Sequence, residues 1–362
     1  MRGTPEAPVG QSGPAAPAGS GEGMERAKGY TPVDPYIVIV ILNWNGREDT
    51  FNCLGSIRAL DYPRRRVIVV DNASTDGSAD LIAERFPEVT LIRNPVNAGF
   101  DGGNNIGMRA ALREGADAVL LLNNDTVVCP GLLRQLADAA ASLPRAGILG
   151  PKIYYHECPD VFWWAGCRKS YSKTGWLLNY TQEGKGQRDR GQFDEIRRVD
   201  AVIGCAMYIK SDVLKTIGLL DERFFIYHEE YDFCRRAEES GWHSYFVPRA
   251  KLWHKVSMSM GGQYSPSLYF LWTRNWLLLS RKHTPVRFWP ILYYAYLKES
   301  LWIYQGLTEN GRAEAAEASL AGVCDALRNR FGPITTLHPP RWLSRAAAWH
   351  YRHGGEGHGE GG

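Results

Sequence analysis

The sequence predicts an α/β fold: a mainly parallel central sheet flanked by helices, with a C-terminal helical extension. Three observations carry that expectation. Short apolar, β-branched runs recur from Tyr36 onward, helical patterns fall between them, and each run breaks off in polar residues. Tyr36 to Leu42 is a continuous apolar run, as expected of a strand covered on both faces. A helical pattern follows from Thr50 to Leu60. Val67 to Val70 forms the second strand and ends in Asp71-Asn72-Ala73-Ser74-Thr75-Asp76-Gly77, after which Ser78 to Phe86 reads as helix. Thr90 to Ile92, a Gly/Asn-rich turn, a helix near Asn104 to Glu114 and the strand Ala118 to Leu122 complete the series. Ligands in such sheets bind beyond the carboxyl ends of the strands.

Composition bounds what the chain can be. Its 362 residues are 44% hydrophobic and 22% charged, enough for one large or two ordinary domains. Lys and Arg number 42 against 39 acids, and an excess that small gives no support to nucleic-acid binding. No stretch of eighteen apolar residues and no basic start followed by an apolar core occurs, so a cytoplasmic chain is expected. Seven irregularly spaced cysteines read as reduced, mostly buried thiols. Residues 1–32 form a disordered leader: the first 30 hold 16 Gly, Pro or Ala, and Met24 is an alternative start. Residues 33–262 are expected to form the α/β domain, 263–352 an amphipathic helical region, and 353–362 a frayed tail.

The polar strand ends exclude the commonest nucleotide folds. Asn43-Trp44-Asn45-Gly46 has one glycine where a dinucleotide site needs GxGxxG, and no GxxxxGK[ST] occurs anywhere. Asn123-Asn124-Asp125 places a carboxylate at a strand tip, suited to Mg²⁺ or Mn²⁺ on a diphosphate, or else forms a plain turn. Asp71 suits a base or ribose contact, or the cap of the next helix. Glu229, Glu230 and Asp232 crowd three acids into four residues; that cost is relieved by cations, a helix start or a raised pKa, the last being what a general base needs. His254 follows a strand-like run, and a lone histidine there is either structural or a ligand.

In this order the motifs closely resemble the family 2 glycosyltransferases, in their rhamnosyltransferase-like branch. The resemblance runs through Asn43 to Gly46, Val69 to Gly77, Asn97 to Gly107, Leu121 to Asp125, Val199 to Ala206, Gly218 to Phe225, Glu229 to Arg236 and Trp253-His254, covering roughly 36–280. It implies a GT-A fold and inverting transfer from a nucleotide diphosphate-sugar to a polysaccharide or lipid-linked glycan acceptor. Asp125 matches the metal-holding acid, His254 completes the metal site, and the cofactor is a divalent cation, Mg²⁺ or Mn²⁺. Asp71 matches the base or ribose contact, and backbone around Asn43 and Asn45, with Asn124, lines the same pocket. Asn97, Gly99 and Gly103 match the turn packed against the donor. Gly204 fits a close approach of substrate to backbone, or a tight strand bend.

Glu230 stands where the family usually has Asp, and is assigned as the base, with Glu229 and Asp232 as the alternatives. Asn123 stands where a DXD motif begins with Asp. These two departures keep open a rival reading, a nucleotide-sugar-binding module without turnover. A nucleotidyltransferase, the other rival, needs a glycine-rich basic loop that Asn43 to Asp49 lacks. From Gln263 to Arg352, 11 basic residues outnumber 5 acids, and six Trp occur. The segments Tyr269–Leu279 and Phe288–Lys298 therefore either lie peripherally in a membrane interface or pack onto the catalytic domain or a second subunit.

Overall fold

The β-branched run at the start of the sheet forms β1 (Ile37–Asn43), in which Ile37 to Ile41 are wholly buried. The structure, a computed structural model, describes residues 34–256 and 264–353, so the leader, the boundary at 262/263 and the tail beyond His353 lie outside the described residues. The first half continues with α1 (Arg47–Arg58), β2 (Arg65–Asn72), α2 (Ser78–Arg85), β3 (Thr90–Asn94), α3 (Gly99–Arg113), β4 (Ala118–Asn123), β5 (Thr126–Val128) and α4 (Leu132–Ser142). Next come β6 (Ala146–Tyr155), β7 (Phe162–Trp164), β8 (Cys167–Tyr171), β9 (Leu178–Gln182), β10 (Arg197–Val199), β11 (Ala206–Lys210), α5 (Ser211–Ile217), α6 (Glu229–Glu239) and β12 (His243–His254). Four helices close the chain: α7 (Pro266–Lys282), α8 (Trp289–Glu309), α9 (Ala313–Leu327) and α10 (Arg341–His353).

The large sheet runs in the order β10-β12-β6-β11-β4-β1-β2-β3. Strands β3, β2, β1 and β4 are mutually parallel, and β12 is parallel to β6. Antiparallel β11 joins these two groups. Parallel register sets the carboxyl ends of β1, β2 and β4 side by side, which is what gathers their terminal polar residues.

One expected turn is instead helical. The Gly/Asn-rich stretch begins α3, five residues before the helix is expected to start, because its glycines serve packing rather than bending. A side chain on Gly103 would overlap Leu42, and one on Gly107 would overlap Val40. Four residues apart, they lie on one face and let α3 approach β1 closely.

The C-terminal segments differ in how much apolar surface they leave exposed. Tyr269–Leu279 lies within α7, where Phe270, Leu271 and Leu277 to Leu279 are buried. Phe288–Lys298 enters α8, which retains an exposed face with Ile291, Tyr294, Leu297 and Trp302. Among the described residues no helix is long and apolar enough to cross a membrane. All seven cysteines are free, and five are buried.

α9 packs on α7 through Gly322, where a Cβ would strike the Phe270 carbonyl oxygen. Gly322→Val should therefore lower Tm by about 5 °C through overpacking. A melt unchanged from the parent chain would mean that the two helices do not meet at this glycine.

Candidate functional site

Asn43 ends β1 opposite Asp71 of β2. Its Nδ2 donates to Asp71 Oδ1 at 2.8 Å, and its Oδ1 accepts from Thr50 Oγ1 at 2.8 Å. Ser78 Oγ lies 2.8 Å and Ser74 Oγ 3.1 Å from the same Nδ2. The Asn43 side chain is thus committed to joining β1, α1, β2 and α2, and the residue is wholly buried. Asn124 Nδ2 extends the network to Thr50 Oγ1 at 2.9 Å. Asn45 adopts φ 52°, and its Oδ1 accepts from the Thr75 amide at 2.7 Å, pinning the first strand's loop to the second's. Beyond these loops lies an open cleft of 310 Å³ lined by Asn45, Gly46, Arg47, Glu48, Asp49 and Asp76.

Asn97 Oδ1 accepts from Asn72 Nδ2 and from the Gly99 amide, both at 2.9 Å. Asn72 Nδ2 reaches the Gly99 carbonyl at 3.1 Å as well. Gly99 sits at φ 73°, and a side chain there would collide with the Phe225 backbone. Asn97, Gly99 and Gly103 therefore anchor the start of α3 to β2, to β1 and to the loop before α6.

Asp125 lies in the turn between β4 and β5, and His254 ends β12. Because β5 pairs with β12 at Thr126 and His254, the histidine is brought onto the acid. Asp125 Oδ1 and His254 Nε2 are 3.0 Å apart, both residues are buried, and Trp163 packs edge-on against the imidazole at 4.3 Å. His254 Nδ1 has no hydrogen-bond partner among the described residues. One carboxylate and one imidazole, converging in a buried position, are donors that Mn²⁺ or Mg²⁺ accepts. Among the described residues no group of three or more His, Cys, Asp or Glu could hold a metal, so the rest of a coordination shell would come from ligand oxygens and water.

The acids at the start of α6 separate by environment. Asp232 is fully buried, and that burial alone would raise its pKa. His283 at 3.0 Å, Lys282 at 2.8 Å and Arg236 at 2.8 Å outweigh burial and hold the carboxyl below its ordinary range. Glu229 and Glu230 have no such cations. Burial raises Glu229 well above the usual carboxylate range, helped by the charges of Glu230 and Asp101. Burial also raises half-buried Glu230, to about 7. The same turn thus holds one firmly ionised carboxylate and two that retain protons toward neutrality.

Gly204 links this acid pair to the strand-end site. A Cβ on it would lie 3.2 Å from the Phe100 ring and 3.7 Å from Glu229 Oε1. The next residue, Cys205, accepts from the Asn123 amide through its carbonyl at 2.8 Å, two residues before Asp125. A single short segment therefore spans from Glu229 to the Asp125 turn.

Two features of this neighbourhood were not singled out in the sequence. Asp101 is wholly buried beside the pair, both its carboxylate oxygens lack hydrogen-bond partners among the described residues, and burial with the Glu230 charge raises its pKa. Arg274 and Asn275, fully buried in α7, bond the loop before α6. Their signal was a polar pair inside the apolar run Tyr269–Leu279, which only a long-range partner explains.

The model of the family described as "Glycosyltransferase like family 2" matches residues 35–266. The chain is 27% identical over 241 residues to the N-acetylglucosaminyl-diphospho-decaprenol L-rhamnosyltransferase of Mycobacterium tuberculosis, covering 60% of this chain and 75% of that one. It is 30% identical over 200 residues to a low-salt glycan biosynthesis hexosyltransferase of Haloferax volcanii, covering 55% and 60%. In fold it is similar to the crystal structure of GalNAc-T7 with UDP, GalNAc and Mn2+, with TM-score 0.54 and 16% identity over 70% of this chain and 48% of that one. The mixed sheet with polar strand ends and the extent of the family match agree: the chain has a GT-A fold and belongs to the family 2 glycosyltransferases.

Proposed function

We propose that this glycosyltransferase moves rhamnose or a similar hexose, with inversion, from a nucleotide diphosphate-sugar to a hydroxyl of a lipid-linked glycan or cell-surface polysaccharide. The observation that carries the reading is the Gly204-Cys205 bridge between the Asp125–His254 pair and an acid pair of raised pKa. On this reading it would join a leaving-group site to a proton acceptor. The L-rhamnosyltransferase named above supports the choice of donor sugar and of a polyprenyl diphosphate acceptor.

The strand-end loops would hold the nucleotide, with Asp71 toward base or ribose. Asp125 and His254 would hold a divalent cation, which when bound offsets charge developing on the departing diphosphate. Glu230 takes the proton of the acceptor hydroxyl as that oxygen bonds to the anomeric carbon. The bond from that carbon to the diphosphate breaks with its electron pair leaving on the phosphate oxygen. Attack from the face opposite the leaving group inverts the centre in one displacement. Asp232, bonded to Arg236, Lys282 and His283, fixes the start of α6 and is not assigned the proton. Glu229, held protonated beside Glu230, keeps the pair at one negative charge.

The exposed face of α8 would set the enzyme against anionic lipid. Its exposed apolar residues Ile291, Tyr294, Leu297 and Trp302 are accompanied by Arg287 and Lys298, and its one mid-helix acid, Glu299, is buried and accepts from the Thr174 amide at 2.7 Å. Lys173 and Lys298 flank the Trp302 ring at 5.7 and 5.0 Å. Neighbouring α10 exposes Arg341, Trp342 and Arg345 and no acid among its described side chains. Aromatic side chains bordered by cations alone suit the headgroup boundary of an anionic bilayer.

Calorimetry with dTDP and Mn²⁺ should show metal-dependent binding that Asp125→Ala abolishes; metal-dependent binding surviving that substitution would remove the cation from this position. Glu230→Gln should leave nucleotide binding within about twofold and lower kcat by roughly 10²–10⁴. The carboxylate form of Glu230 is the active one, so the parent rate should rise with pH through about 7 and be lost below it. A rate flat from pH 5 to 8 would exclude Glu230 as the base. Combining Trp302→Ser with Lys298→Glu should weaken binding to phosphatidylglycerol vesicles about tenfold or more. A dimer in sedimentation that the same substitutions dissociate would assign this face to a second copy.

A further inference from the structure

The loop before α6 is strained and fully bonded. Phe225, Tyr227 and His228 all have positive φ, at 70°, 74° and 74°, a region that non-glycine residues seldom occupy. Such a conformation persists only where its surroundings over-determine it. Here each carbonyl from Phe224 to His228 is claimed. Asn275 Nδ2 approaches the carbonyls of Phe224, Ile226 and Tyr227 at 2.8, 2.8 and 3.0 Å. The Phe100 amide, at the start of α3, donates to the Phe225 carbonyl at 2.7 Å, and the Asp232 amide donates to His228 at 3.1 Å. A guanidinium nitrogen of Arg274 adds a second bond to Phe224 at 3.1 Å, while Arg274 Nε holds Asn275 Oδ1 at 3.1 Å. Asn275 is wholly buried, so its amide orientation is set by these partners.

We propose that Asn275 is a positioning residue for the base: by gathering three carbonyls of the strained loop, it fixes where α6 begins and keeps Glu230 desolvated. The inference rests on the reading of Glu230 as the base. The amide chemistry is specific. A carbonyl-gathering group must donate, and its own acceptor must be held by a donor, which Arg274 supplies through Nε. The role also gives α7 a share in the reaction: the helix touches no reacting atom yet dictates the geometry of the group that does.

The test follows the Glu230 carboxyl directly, by carbon NMR of glutamate-labelled protein, with Glu230→Gln identifying the resonance. In the parent chain its midpoint should lie at about 7. In Asn275→Ala, water reaching the loosened turn should move that midpoint toward the ordinary carboxylate range. With dTDP-rhamnose and a synthetic N-acetylglucosaminyl-diphospho-lipid as probes, kcat should fall about a hundredfold while dTDP binding stays within about twofold. A midpoint left in place overturns the proposal, whatever happens to turnover, because a merely structural asparagine would lower stability without moving it. A midpoint that moves while Glu230→Gln retains turnover upholds the positioning and refutes Glu230 as the base. Should the alanine variant not fold, Asn275→Ser keeps one donor and should give a smaller shift of the same sign.

Discussion

Five consecutive carbonyls, from Phe224 to His228, tie the chain's distant parts to its chemistry. Their donors come from α3, α7 and α6, elements that belong to the first βα units, the C-terminal helices and the middle of the chain. Buried carbonyls without donors cost about 1–3 kcal/mol each. The loop therefore exists only as the meeting of these elements. Glycines answer to the same demand: Gly99 lets the start of α3 come against Phe225, and Gly322 lets α9 press α7 into place.

Electrostatics then sorts acids that sequence makes look alike. Asp232 is enclosed by Arg236, Lys282 and His283, and is a fixed anion. Glu229 and Glu230, in the same helical turn, meet burial and each other instead. Asp101 adds a third carboxyl to that dry pocket. A helix start favours negative charge, yet only modestly, and cannot offset removal of three carboxylates from water. The cheapest adjustment is to keep protons, which poises one carboxyl near neutrality. At the opposite side of the Gly204-Cys205 bridge, neutral amides and hydroxyls dominate: Asn43 Nδ2 and the Ser74 amide donate to Asp71, and Thr50 Oγ1 donates to Asn43.

The parallel strands were legible because a β-branched run flanked by polar residues has few other uses, and their register followed from the fold class. The strand-end residues meet for that reason, Asn43 opposite Asp71 and Leu42 opposite Asn123. What escaped reading depends on distant partners. The start of α3 resembles a turn because asparagine and glycine favour turns, and only Leu42 and Val40 explain why glycines stand on a helix face. β12 is obscured by Pro248 and by the register shift between Val247 and Lys251, so a twelve-residue strand shows only as a fragment. Asn275 lies 51 residues from Phe224, and no local pattern connects them. The local contradiction, two polar residues amid aromatics and leucines, was visible; its resolution was not.

The same long reach orders events during synthesis. Residues 37–125 can assemble their strands and the cleft lined by Asn45 to Asp49 and Asp76 from neighbours close in sequence, contacts that form early and quickly. The loop at Phe224 to His228 has to wait, since its donors at Asn275 emerge from the ribosome some fifty residues later. A nascent chain thus completes the cleft beyond β1 and β2 well before the turn that carries Glu229 and Glu230. That turn is set only once α7 has been made.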